Sequence, residues 1–350
     1  MSVLRLGTRR SRLALTQSQW VADAITAATG VPVELVHIVT EGDVSKAAIA
    51  QLGGTGVFVT AIRQALHEGR VDLAVHSYKD LPTAPEPGLV LAAVPVREDP
   101  RDALVARDGL TLGELPAGAV VGTGSPRRAA QIAALGLGLD VRAIRGNVDT
   151  RLRLVHDGKV DAVVLAAAGL ARLGRLDEVT ELIDPLQMLP APGQGALAVE
   201  VRSDDPAATA AVRPLDDADT RASVTAERAL LAALEAGCTA PIGALAEVVE
   251  GMDGAELSVR AFVGSEDGAA ELRRSVTGPV PEAERLGREL AAVLLEDGAR
   301  DIVTVGLGPA VSEDRPPDPG RAGDHDPQHV ADRPHDPADR PDPTAPERAL

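Results

Sequence analysis

Short β-rich runs alternate with helix-length segments through the first half of this chain, and no other feature constrains its fold as much. Residues 3–7 read as a strand, and Ser11 is placed to cap a helix running to Thr29, with Gly30 as its stop. "VELVHIV" (33–39) and "VDLAVHS" (71–77) are strand-like, separated by a glycine-rich loop and a helix beginning near Phe58. The pattern resumes with "AVVGTGS", a helix from Pro126, "LDVRAI", a helix from about Asn147, and "VDAVVLA". Such repetition predicts mostly parallel sheets covered by helices. Two α/β units are expected, joined near "VREDPRDALV" (96–105). "LPAPGQGALAVEV" (189–201) breaks the second unit with prolines and glycines and then supplies another strand. From about Asp219 the order changes: a long helix ending at Gly237, three strand-like runs, and a final helix over about 281–297 predict a smaller α+β domain.

Composition removes several functions. The net charge of −17 argues against nucleic acid as the main partner. Trp20, Phe58, Tyr78 and Phe262 are the only aromatic residues, too few for a base-stacking platform. No run approaches the ~18 apolar residues of a membrane span. The first residues meet arginines before any long apolar stretch, unlike a secretory signal, and Cys238, the single cysteine, has no disulfide partner in the chain. A cytoplasmic protein is expected. From Ser312 the chain is rich in Pro, Asp and Arg and nearly free of large apolar residues, so residues 311–350 are expected to be disordered. The irregularly spaced His325, His329 and His335 in that tail read as solvated side chains, and no metal site is expected.

Of the 35 basic residues only Lys46, Lys79 and Lys159 are lysines; the arginines recur at strand-end turns. "GTGSPRR" (122–128) follows a strand and opens a helix, with Ser125 and Pro126 suited to the cap and first helical positions. The N–H groups of that helix start, with Arg127 and Arg128, would make an anion site. "RGNVDTR" places Arg145 and Arg151 at a second such turn, "GLARLG" adds Arg172, and "GTRRSRLAL" adds Arg9. Singly, each arginine reads as a solvated surface charge. Together they mark the edge of an open α/β sheet where ligands bind, and imply a polycarboxylate or polyphosphate. No nucleotide-binding glycine fingerprint is present. "HSYKDLP" (76–82) adds Lys79 and Asp80, either a surface ion pair at a turn or an acid–base and charge-stabilising group. Cys238, in "LEAGCTAPIG", is open to two readings, a small buried hydrophobe, or a covalent attachment point or nucleophile.

"HSYKDLPT", "REDPRDALV", "VGTGSPRR", "RGNVDTRL", "LPAPGQGALAVE", "TAERALL" and "LEAGCTAPIG" occur in this order. Over about residues 3–308 the chain resembles the porphobilinogen deaminase (hydroxymethylbilane synthase) family. The resemblance implies two domains similar to type II periplasmic binding proteins, residues 1–98 with 196–216 and residues 99–195, and a cofactor-attachment domain over 217–310. It implies a transferase of tetrapyrrole biosynthesis that joins four porphobilinogens to a dipyrromethane primer, with loss of ammonia, and releases hydroxymethylbilane to uroporphyrinogen-III synthase. Carried over by motif, Cys238 would hold the dipyrromethane through a thioether and Asp80 would be the catalytic carboxylate. Arg9, Lys79, Arg127, Arg128, Arg145, Arg151 and Arg172 would bind acetate and propionate groups, helped by Ser11, Thr123 and Ser125.

The residues agree with that chemistry. A lengthening pyrrole chain with two carboxylates per ring needs many cations in one cleft, even in an acidic protein. A thiol after a helix C-terminus gains no pKa depression, which suffices where a deaminated pyrrole is the reactive electrophile. Five positions depart from the family's familiar pattern: Gln51 and Thr55 stand where a cleft loop carries lysines, Asp149 for glycine, Gly124 for serine and Pro126 for leucine. A non-catalytic small-anion binder reusing the same cleft would not need Cys238 and Asp80 together.

Overall fold

The computed structural model describes residues 3–38, 56–235, 240–252 and 254–305. Elements are numbered in chain order. In the first unit β1 (Leu4–Thr8) pairs in parallel with β2 (Val33–His37) and with β3 (Leu73–Ser77). Beyond β3 lies β10 (Leu197–Arg202), antiparallel both to β3 and to the edge strand β4 (Leu89–Ala93). Helix α1 (Arg12–Thr29) covers this sheet, and Leu6, Val21, Ile25, Leu73 and Val199 meet in the core beneath it. The Ser11 hydroxyl accepts from Ala14 N at 3.3 Å, and Gly30 closes the helix at φ 71°, where glycine carries no Cβ penalty. Helix α2 (Gly56–His67) precedes β3.

The second unit repeats this plan. Strand β6 (Val120–Thr123) is parallel to β7 (Asp140–Ala143) and to β8 (Ala162–Ala166), while β5 (Asp102–Ala106) runs antiparallel between β8 and the two-residue β9 (Glu181–Leu182). Helices α3 (Pro126–Ala134), α4 (Val148–His156) and α5 (Ala167–Arg172) follow β6, β7 and β8. In each sheet three neighbouring parallel strands are followed by an antiparallel one, β10 or β5, which the chain reaches by crossing from the other unit. The chain therefore passes between the units twice, and the two crossings lie side by side: Glu98 N donates to Gly195 O (3.3 Å) and Arg97 Nε to Gln194 O (2.8 Å).

After α6 (Pro206–Val212), the third domain packs α7 (Ala218–Ala233) and α8 (Ala283–Glu296) on an antiparallel sheet of β11 (Ile242–Gly251), β12 (Gly254–Gly264) and β13 (Glu271–Pro279). The helices touch at Gly287, where a Cβ would lie 2.2 Å from Ala226 O. Glu227 of α7, with no exposed surface, takes Arg97 Nη1 and Nη2 (2.6 and 3.0 Å), Gly193 N (2.6 Å) and Ala246 N (2.9 Å). One buried carboxylate thus ties both crossings to β11, with its charge and its hydrogen bonds satisfied.

Three local expectations shift. The α7 helix ends at Ala233, four residues before the expected glycine stop, and Gly237 lies outside the described residues. A further short helix, α9 (Ala299–Val305), follows Gly298, whose φ of 93° breaks the expected final helix from it. The Ser125 hydroxyl does not cap α3; instead Ser125 N donates to Thr123 Oγ1 at 3.2 Å. Among the described residues no helix is long and apolar enough to cross a membrane.

Candidate functional site

The ends of the parallel strands in both sheets face one cleft. From the first unit it receives Leu13 and Gln17 of α1, Ser77 at the end of β3 and Lys79; from the second it receives Arg128 of α3, Arg151 of α4 and Arg172 of α5. Its described lining thus holds four cations and no carboxylate. Gln17 and Ser77 also line an adjoining cavity that contains Arg9, His76 and Asp80, and Gln17 Nε2 donates to Ser77 Oγ at 3.2 Å between them. Asp80 ends a short 3₁₀ turn, Tyr78–Asp80, that starts where β3 stops.

Each cation has a built support. Arg128 Nε and Nη2 donate to Asp102 Oδ1 (3.0 and 2.8 Å) and its Nη1 to Val164 O (2.9 Å). Burial alone would push Asp102 upward; Arg127, Arg128 and a hydrogen bond from Gln194 outweigh it and hold the carboxyl well below the usual range. Lys79 Nζ donates to Gln194 Oε1 (3.2 Å), and the same amide donates to Asp102 Oδ1 (2.8 Å). Burial pushes Lys79 down to about 8, assisted by Arg128 and opposed by Asp80 and Asp102. Burial also lowers Arg151, which faces Arg128, and Arg172, where Glu98 opposes the shift. Arg151 Nε reaches Gly146 O (2.9 Å) and Arg172 Nη2 reaches Gly195 O (2.6 Å). Guanidiniums crowded together and partly dehydrated favour an anion that restores neutrality.

Other singled-out residues stand apart from this lining. Arg127, only 3% exposed, pairs with Asp102 (2.8 Å) and donates to Leu189 O, so it supports the cleft from behind. A solvated charge, the reading of each arginine taken singly, does not describe Arg127, which is buried against Asp102 and Leu189 O. Thr123 is buried, Ser125 is half-buried, and Arg145 is exposed at the end of β7. The Ser11 hydroxyl serves the cap of α1. Cys238, Gln51, Thr55 and the 311–350 tail lie outside the described residues.

Several participants carried no role in the sequence reading: Gln17, Ser77, Asp102 and Gln194 at the cleft, and His76, whose Nε2 lies 3.2 Å from Glu200 Oε2. Glu200 is gripped by Arg63 at 3.0 and 2.7 Å. Burial would raise Glu200, but His76 and Arg63 bring it down to about 2. Asp102 and Gln194 do stand inside quoted motifs, "REDPRDALV" and "LPAPGQGALAVE", and a glutamine between two glycines was the available signal; the structure buries it, with both glycines at positive φ.

The structure accounts for two of the departures. A Cβ on Gly124 would lie 2.7 Å from Ile144 O, so the close approach of β7 requires glycine here. Asp149 pairs with Arg175 (2.6 Å) and lies 3.9 Å from Arg12 of α1. Gly124→Ser is therefore expected to destabilise the fold by roughly 1–3 kcal/mol, as overpacking against backbone does. Urea denaturation measures it, and an unchanged midpoint would mean that β7 moves aside freely.

Comparison with known proteins follows the same outline. Residues 4–210 match the family model described as "Porphobilinogen deaminase, dipyromethane cofactor binding domain", and residues 222–296 match "Porphobilinogen deaminase, C-terminal domain". The porphobilinogen deaminase of Nocardia farcinica is 60% identical over 305 residues, 86% of this chain and 88% of that protein. That of Mycobacterium tuberculosis is 60% identical over 306 residues, 86% of this chain and 98% of that protein. Among solved structures, a periplasmic substrate-binding protein of an ABC transporter from Coxiella burnetii matches at TM-score 0.40 and 14% identity, over 61% of this chain and 91% of that one. Immunogenic lipoprotein A from Vibrio vulnificus matches at 0.38 and 11%, over 61% and 94%.

Proposed function

The chain belongs to the porphobilinogen deaminase family, and on that footing we propose how its own side chains divide the work. It is a transferase of tetrapyrrole biosynthesis that polymerises porphobilinogen on a dipyrromethane cofactor and releases hydroxymethylbilane. One observation carries the assignment of roles: among the described residues, Lys79, Arg128, Arg151 and Arg172 line one cleft whose lining includes no carboxylate, and Asp80 stands in the cavity that adjoins it.

The donor set fits the cofactor. Two linked pyrroles carry an acetate and a propionate each, and the four cations of this lining offer charged donors to meet those carboxylates. Bound there, the cofactor supplies the pyrrole carbon to which the first substrate is joined. Lys79 and Arg128 are proposed to hold its carboxylates, with Thr123, Ser125 and Arg145 contributing from the ends of β6 and β7. Arg127 keeps Asp102, and through it Arg128, in place. Arg9, Arg145, Arg151 and Arg172 are proposed to bind the carboxylates of porphobilinogen, and Ser11 to shape that end of the cleft by capping α1. Asp80 accepts the pyrrole N–H of the substrate and stabilises the positive charge that develops as ammonia departs. Cys238 is proposed as the thioether anchor. The cytoplasm is the proposed compartment, and uroporphyrinogen-III synthase the proposed acceptor of the product; the sequence resemblance supports both.

Intact mass of the purified chain tests this reading. The expected value exceeds the sequence mass by two linked pyrroles, and a chain at its bare sequence mass that still turns over would overturn the anchoring scheme.

The position of Lys79 adds a pH signature. With its pKa near 8, Lys79 is charged at pH 7 and loses its charge as pH rises through 8, weakening its hold on a carboxylate. With the cofactor held less firmly, turnover of porphobilinogen by loaded chains is expected to fall ~3- to 10-fold between pH 7 and 9, within the worth of one charge-assisted contact. Lys79→Arg stays charged and should flatten that fall. An equally steep fall in Lys79→Arg would assign the titration to another group.

A further inference from the structure

The turn that carries Lys79 and Asp80 has little to hold it by itself. Its one internal hydrogen bond runs from Leu81 N to Tyr78 O (3.1 Å), and Ser77 provides no side-chain cap. It is fixed instead from two sides. On the first, Tyr78 N donates to Ala196 O (3.0 Å), and Gly193 packs so closely that a Cβ there would lie 3.3 Å from Lys79 N. On the second, Arg228 of α7 reaches across from the third domain. Its Nη1 meets Tyr78 O (3.3 Å) and Leu81 O (3.1 Å), its Nη2 donates to Pro82 O, and its Cζ sits 4.6 Å over the buried Tyr78 ring.

A planar fork of donors can gather carbonyls from both ends of a turn while stacking on a ring; a lysine ammonium cannot do both. We propose that Arg228 is a positioning residue for the reaction, fixing the Asp80 carboxylate from the third domain without touching the substrate. The inference rests on the reading of Asp80 as the catalytic carboxylate. It also gives a role to the arginine of "TAERALL", whose neighbour Glu227 holds the two interdomain crossings.

The test uses full-length, cofactor-loaded chains of Arg228→Gln, Arg228→Lys, Asp80→Asn and the Asp80→Asn/Arg228→Gln double variant. Arg228→Gln is expected to lower kcat ~10- to 100-fold, the scale of a displaced catalytic group, with KM and cofactor mass essentially unchanged. Arg228→Lys should recover part of that loss. The double variant should be no slower than Asp80→Asn by more than about threefold, because the two act through one group. A kcat near wild type in Arg228→Gln, or losses that multiply in the double variant, would overturn the proposal while leaving Asp80 in its role. Near-wild-type turnover by Asp80→Asn would instead remove the premise and the proposal together. Should Arg228→Gln fail to fold, Arg228→Lys alone and combined with Asp80→Asn carries the same comparison.

Discussion

Asp80→Asn, purified with its cofactor in place, is expected to turn over porphobilinogen at least ~10²-fold more slowly than wild type, the low end for a positioned charge-stabilising group. Ammonia leaves a carbon attached to an electron-rich pyrrole, so positive charge spreads into the ring as the bond breaks. A carboxylate beside the ring N–H stabilises that charge more in the transition state than in the ground state. Asparagine keeps the size and the hydrogen-bonding capacity of the side chain but not its charge. Asp80 is half-buried on a turn supported by Tyr78, Gly193 and Arg228, so the fold should tolerate the change. Asp80→Glu keeps the charge and displaces it, and should retain more activity than Asn. Steady-state hydroxymethylbilane formation measures both. Turnover by loaded Asp80→Asn within a few-fold of wild type would remove Asp80 from the catalytic role.

Cys238→Ser is expected to abolish cofactor attachment altogether. No second thiol exists in the chain to replace it, and a serine hydroxyl forms no thioether. The variant should fold, because Cys238 falls between α7 and β11 rather than within either element. Its intact mass should equal the sequence mass, and it should give no colour with an acidic aldehyde reagent that detects dipyrromethanes. Activity should fall to background with the cofactor. A Cys238→Ser chain that still carries two pyrroles would place the attachment elsewhere.

Much of this architecture was legible because it is local. The β–α alternation, the Ser11 cap, the Gly30 stop and the Pro126 helix start are each written within a few residues, and all four features appear in the structure. Arginines after β1, β6, β7 and β8 could be assigned to one face because parallel strands present their C-terminal ends to the same edge. What stayed hidden depends on contacts far apart in sequence. Arg128 meets Asp102 26 positions away, Lys79 meets Gln194 115 away, and Arg228 meets Tyr78 O 150 away. A motif read linearly shows Arg127 and Arg128 as equivalent members of one anion site. In the fold both are nearly buried, and a single carboxylate divides them into one that lines the cleft and one that braces it. The short α9 helix was missed because Gly298 reads equally well as the end of the structure and as a turn within it.

Asp80 is expected to act in joining substrate to the cofactor-bearing chain within a cationic cleft. Intact mass after brief mixing of loaded chains with porphobilinogen tests it most directly. Wild type should acquire successive increments, each one porphobilinogen less ammonia, while loaded Asp80→Asn remains at its starting mass on the same timescale. Asp80→Asn acquiring the same increments at the wild-type rate would exclude Asp80 from that step.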